Sequence, residues 1–173
     1  MNANAWISRR AALMALGASA LIGLGGCAPT NAPAVQAAAQ PTSGFHIGAI
    51  EVDTAPLVAQ VGNPTAGWAQ AALPGALARA FASHMAPGDT SGATLSVRID
   101  SIYLGNGGPD SDRMRGEATL SGGGGAPRHM SVQAKATYVP SPVDQTLVEQ
   151  AMQGRVQALA LSFAYRLKRK WGL

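Results

Sequence analysis

Three stretches in the middle of the chain alternate apolar and polar residues with a period of two. Leu95, Val97 and Ile99 alternate with Ser96, Arg98 and Asp100. Met114, Gly116, Ala118 and Leu120 alternate with Arg115, Glu117 and Thr119, and Met130, Val132, Ala134, Ala136 and Tyr138 with Ser131, Gln133, Lys135 and Thr137. Successive side chains of a strand point to opposite faces, so each stretch predicts a strand with one buried and one wet face. Glycine-rich connections over residues 105–112 and 122–127 link them most simply as an antiparallel meander. Asp110 and Asp112 in the first connection are expected in a solvated turn, because no Asp-x-Asp-x-Asp-Gly pattern with a distal Glu surrounds them. The glycine run 122–125 is followed by Ala126 and Pro127 rather than Lys, which predicts a slack hairpin and not a phosphate cradle.

The flanks have a different period. Residues 45–53 are β-branched and aromatic and predict a first strand. Pro56, Gly62, Asn63 and Pro64 mark residues 55–64 as a breaker segment. Leu73, Leu77, Phe81 and Met85 recur at four-residue steps and predict a helix over 65–85, which Pro74 either kinks or opens. At the end, Ser141, Pro142 and Asp144 form a helix start, and Val148, Met152, Val156, Leu159, Phe163, Leu167 and Trp171 form its apolar stripe. The order β-α-β-β-β-α predicts an α+β fold. It is a two-layer sandwich, a four-stranded mixed sheet with two helices on one face. Gly116, Ala118, Ala134 and Ala136 are small, which lets a helix lie close over the sheet centre or leaves a pocket there.

The 173 residues fit one domain plus an amino-terminal address. Arg9 and Arg10 precede an apolar run over 11–24, too short to span a bilayer and laid out as a secretory signal. Leu24, Gly25, Gly26 and Cys27 close it, and Cys27 is the single cysteine of the chain. This closing tetrapeptide resembles the lipobox of bacterial lipoproteins, in which the Cys thiol takes a diacylglycerol, the signal is cut before it and the new amino terminus is acylated. Gly25 stands where that family often carries Ala or Ser. Residues 8–13, with the Arg9 and Arg10 pair, also resemble a twin-arginine export signal, with Ala12 where Phe is preferred. The general secretory route is the alternative. Ala28 in place of Asp favours the outer membrane by resemblance to the enteric sorting pattern, with the inner membrane as the alternative. The expected organisation is a signal peptide over 1–26, a lipidated Cys with a flexible linker over 27–43, and one domain over 44–173. Without the signal, 11 Lys and Arg face 9 Asp and Glu, a net charge of +2. That charge and compartment speak against a nucleic-acid partner.

No reactive constellation stands out in the sequence. His46, His84 and His129 are widely spaced, and no metal or other cofactor is expected. Neither a Gly-x-Ser-x-Gly elbow nor a Ser-x-x-Lys box is present. A catalytic role would need a group such as His129 beside an acid in a cleft. Candidate contacts for a partner or for lipid headgroups are Arg98, Arg115 and Lys135 on the wet sheet face and Arg166, Lys168, Arg169 and Lys170 at the end of the last helix. The expected role is that of a non-enzymatic lipoprotein at the periplasmic face of the outer membrane, an accessory or structural factor of an envelope complex. The alternative is a carrier of lipid or lipopolysaccharide. The element order resembles the LptE family of lipopolysaccharide-assembly lipoproteins, and Gly44, Phe45, His46 and Ile47 resemble an apolar Gly-Phe pattern near that family's mature start. Here the pattern falls 17 residues after Cys27. That resemblance implies a lipidated, non-catalytic domain seated in an outer-membrane barrel.

Overall fold

The computed structural model describes residues 45–173, which fall within one compact unit. The expectations at Arg9, Arg10, Leu24, Gly25, Gly26, Cys27 and residues 28–43 lie outside the described residues. The sheet has four strands in the order of the chain: β1 (Ile47–Asp53), β2 (Ala93–Tyr103), β3 (Gly108–Gly122) and β4 (Arg128–Tyr138). β1 pairs parallel to β2, while β2, β3 and β4 form the expected antiparallel meander. A parallel pair needs a crossover. Here helices α1 (Ala55–Val61) and α2 (Thr65–Ala80) supply it, and α3 (Val148–Lys170) closes the fold. α1 contacts β2, α2 contacts β1 and α3, and α3 lies on β3 and β4, which makes the expected mixed sheet with its helical layer.

The core lies between the layers. Leu73, Leu77, Leu95, Ile99, Met114, Leu159, Phe163 and Leu167 are all fully buried there. The small residues serve close packing: Ala118 and Ala134 of the sheet and Ala160 and Ala164 of α3 are buried in the same cluster. Gly116 is required for a backbone reason. A Cβ there would come within 2.4 Å of the Arg98 carbonyl oxygen, beside a register shift between Ile99 and Ser101 on β2. Bulged strands bring backbones together in this way, and glycine leaves the room.

Several local expectations need correction. The breaker segment contains α1, with Pro56 in its first turn, where a missing N–H does no harm, and Gly62 at φ 67° ending it. α2 runs through Pro74 and stops at Ala80, so Phe81 and Met85 follow the helix. Met85 forms a bridge beside Ile47. Asp112 is no turn residue: it lies inside β3 and is 1% exposed. Ser141 caps a 3₁₀ turn (Pro142–Gln145) and not α3 itself, with Asp144 returning the bond to the Ser141 N–H. The stripe therefore starts later than expected, and Val148 is 55% exposed.

Candidate docking surfaces at the two ends of the sandwich

The register gives the sandwich two ends. The near end holds the first described residues, the starts of β1, β2 and β4 and the close of α3. The far end holds the close of β2 and β4, the start of β3 and the start of α3.

Aromatic packing closes the near end. The Phe81 and Trp171 rings are 5.9 Å apart and tilted by 58°. The Arg128 guanidinium lies 5.8 Å from the centre of the Trp171 ring and donates to the Trp171 carbonyl at 3.2 Å. The candidate cations Arg166, Lys168, Arg169 and Lys170 ride on the last turns of α3, where positive charge complements the helix dipole. Arg166 and Arg169 are exposed. Lys170 donates to the Ser131 carbonyl at 3.1 Å, and Ser162 to the Lys135 carbonyl at 3.0 Å. β4 is an edge strand, so these two bonds occupy carbonyls that would otherwise template pairing with another chain. A shallow cleft of about 220 Å³ between Gly48, Ala49, Asp89 and Thr94 also lies at this end. Its one carboxylate, Asp89, accepts from the Ser91 hydroxyl and backbone N–H, which holds it below its ordinary pKa.

A buried polar network closes the far end. Arg155 Nε donates to Asp112 at 2.9 Å, and its Nη2 donates to the other Asp112 oxygen and to the Gly105 carbonyl. The Gly105 N–H donates to the same carboxylate at 3.1 Å. The guanidinium plane sits 3.8 Å from the centre of the Tyr138 ring. Tyr138 in turn donates to Asp144 at 2.6 Å. The hydrogen bond from Tyr138 lowers the pKa of Asp144, and the same bond raises that of Tyr138. The bonds to Asp112 likewise raise the pKa of Arg155, against the cost of its burial. One arginine thus ties the β2–β3 connection, β3, β4 and the capped turn to α3. The sequence carried a trace of it: Arg155 stands between Met152 and Leu159 on the apolar stripe, where a charge requires a partner.

The wet sheet face separates its charges. Arg98 pairs with Asp100 at 3.5 Å, and Ser96 donates to Glu51 at 3.1 Å. His129 approaches Glu117 at 3.9 Å, with side chains 59% and 46% exposed, so this His and acid lie on an open face and not in a cleft. Toward the far end, Arg113 stands directly across from Lys135, and Arg115 is one row away. Like charges placed opposite each other on a sheet are destabilising. Neither Arg113 nor Arg115 has an acid within ion-pair distance among the described residues. The structure therefore brings Arg115 and Lys135 together and adds Arg113, which the sequence reading missed. It separates them from Arg98, which has its own acid, and from Arg166, Lys168, Arg169 and Lys170, which belong to the helical layer at the near end.

Among the described residues, no group of three His, Cys, Asp or Glu side chains is placed to hold a metal, and no helix is long and apolar enough to cross a membrane. No family model matches the chain, and no curated protein matches it. Solved structures similar to it include one described as "a putative lipoprotein from Caulobacter crescentus CB15", at 16% identity and a TM-score of 0.43 over 70% of this chain and 86% of that one. A second, described as an uncharacterized protein, has 14% identity and a TM-score of 0.41 over 74% of this chain and 95% of that one. A third, a minor lipoprotein from Acinetobacter baumannii, has 12% identity and a TM-score of 0.34 over 70% of this chain and 91% of that one.

Proposed function

We propose that this chain is a bacterial envelope lipoprotein, held in the outer membrane through acylated Cys27, with its domain facing the periplasm as a non-enzymatic accessory factor of an envelope complex. The lipobox at Leu24, Gly25, Gly26 and Cys27 supports the anchor. The observation that carries the reading is the composition of the near end. The first described residues and the exposed Arg166 and Arg169 of α3 share it. A tether leading to a bilayer therefore leaves the domain at the end whose cations suit anionic headgroups. Each such cation contributes about 1 kcal/mol near an anionic surface.

Cys27→Ala tests the anchor, with the expectation of an unprocessed or soluble protein. Normal processing with unchanged membrane retention would exclude it. The domain of residues 45–173 should bind vesicles containing phosphatidylglycerol better than neutral ones. Arg166→Gln with Arg169→Gln should weaken that binding roughly tenfold or more, given about 1 kcal/mol per charge. The lipid or lipopolysaccharide carrier is less well supported, because Ala118, Ala134, Ala160 and Ala164 are buried in one packed cluster where a ligand would need space.

A further inference from the structure

Strand register assembles a polar grid on the open face of the sheet. Tyr103 of β2, Arg113 of β3 and Lys135 of β4 stand side by side in one row, and Ser101, Arg115 and Gln133 stand in another. Ile102, Met114 and Ala134, the row between them, are buried, so the six flanking residues share the wet face. Neighbouring strands lie about 4.8 Å apart, and alternate residues of a strand about 7 Å apart. The grid therefore measures roughly 10 by 7 Å, room for one sugar ring and a charged substituent. The acids of this face are engaged beside it: Asp100 pairs with Arg98 at 3.5 Å, and Glu117, one row beyond Arg115, faces His129 at 3.9 Å. Arg113 and Arg115 are exposed and meet no acid among the described residues, and Tyr103 next to them is 63% exposed. We propose that this grid binds a carboxylate-bearing glycan strand of the cell wall.

The chemistry of the side chains identifies the ligand, and the two arginines with the tyrosine ring carry the argument. Guanidinium groups hold carboxylates through paired N–H donors. An exposed aromatic ring offers a flat apolar face that stacks on the C–H face of a sugar, with its hydroxyl free for a polar contact. The Ser101 hydroxyl and the Gln133 amide both donate and accept, as sugar hydroxyls require. A protein partner fits poorly, because the grid holds no aliphatic side chain and the centres of protein interfaces are mostly apolar. Lipid headgroups fit poorly too. Arg113 lies nine residues along β3 from Gly122 at the near end, about 30 Å away. This last step rests on the reading of the near end as the membrane side. The domain then links the membrane that holds its anchor to the wall beyond it.

The test sediments the full chain, extracted in detergent, with purified peptidoglycan sacculi. The chain should pellet with native sacculi and stay in solution with sacculi whose carboxyls have been amidated. Arg113→Gln with Arg115→Gln should weaken binding about tenfold or more, through the loss of charge-assisted hydrogen bonds. Tyr103→Ala should weaken it roughly threefold. Both variants should keep the parent thermal midpoint, since all three side chains are exposed. Arg166→Gln with Arg169→Gln should leave sacculus binding unchanged while lowering vesicle binding, so failure of the membrane reading and failure of the grid are distinguishable. No pelleting, equal binding to amidated sacculi, indifference to the grid variants, or loss only where the midpoint falls would overturn the proposal. Tighter binding to lipopolysaccharide micelles through the same arginines, or to a partner protein in their place, would overturn it as well.

Discussion

The two ends of this sandwich are closed by opposite chemistries. At the near end, Phe81 and Trp171 bury their rings, 0% and 3% exposed, and Arg128 lies over the Trp171 ring. At the far end, a carboxylate that is 1% exposed is held by an arginine, a backbone N–H and the geometry around them. Apolar closure is non-directional and tolerates imperfect geometry. A buried ion pair is directional, and its desolvation cost makes it a weak source of net stability while its disruption is expensive. The far end thus derives a defined turn geometry from its network more than it derives free energy, and it is the end whose turn over 139–148 keeps Val139, Val143, Leu147 and Val148 exposed.

The largest expected effect tests what the ends share. Phe163 lies fully buried in α3 between them, and Phe163→Asp places an unpaired charge in the common core. The variant should show no cooperative thermal transition, and an unchanged midpoint would mean that the two ends stand without the centre. Arg155→Met comes next. It leaves Asp112 buried without its cation and should cost about 3–5 kcal/mol by denaturant unfolding. Adding Asp112→Leu to that variant should recover much of the stability, because an apolar pair can replace a buried ion pair at little loss. The turn should nevertheless lose its fixed geometry, seen as faster amide exchange over 139–148. Recovery of both would show that the ion pair has no positioning role. Trp171→Ala at the near end should cost about 3 kcal/mol through a cavity and leave exchange at the turn unchanged.

The smallest effect is on pH. Asp144 titrates below its ordinary value when folded, so its contribution is present at neutral pH and is lost as acid takes the solution below about pH 4. Tyr138 titrates above its ordinary value, so its contribution is present below about pH 10 and is lost as pH rises further. Tyr138→Phe should flatten both flanks of the stability profile and return the Asp144 carboxyl toward its ordinary range, measurable by NMR titration. A profile unchanged by the substitution would remove the Tyr138–Asp144 bond from the far-end network.

Much of the near end could be read from the chain alone. Leu73, Leu77, Leu159, Phe163, Leu167 and Trp171 were placed in the core by helical spacing, and all are buried. The three alternating strands fell where expected, and the candidate cations of α3 lie on its last turns. The far end departs from the sequence expectation at two residues, Asp112 and Val148. Asp112 passed for a turn residue because glycines and a second Asp surround it. Val148 passed for core because it continues a stripe that the 3₁₀ turn interrupts. Arg113, the central cation of the sheet row, was passed over because only the register shows Lys135 standing opposite.

The sequence by itself determined which faces are apolar, because period two and the three- and four-residue steps depend only on local backbone geometry. It also placed the glycine-rich turn between β3 and β4, after Gly122. Only the tertiary structure decided that residues 43 apart, Asp112 and Arg155, meet in the interior, and that four aliphatic residues remain in water at one end. Such a pairing arises from strand register and helix placement, which depend on the packing of the whole core and leave no period in the chain.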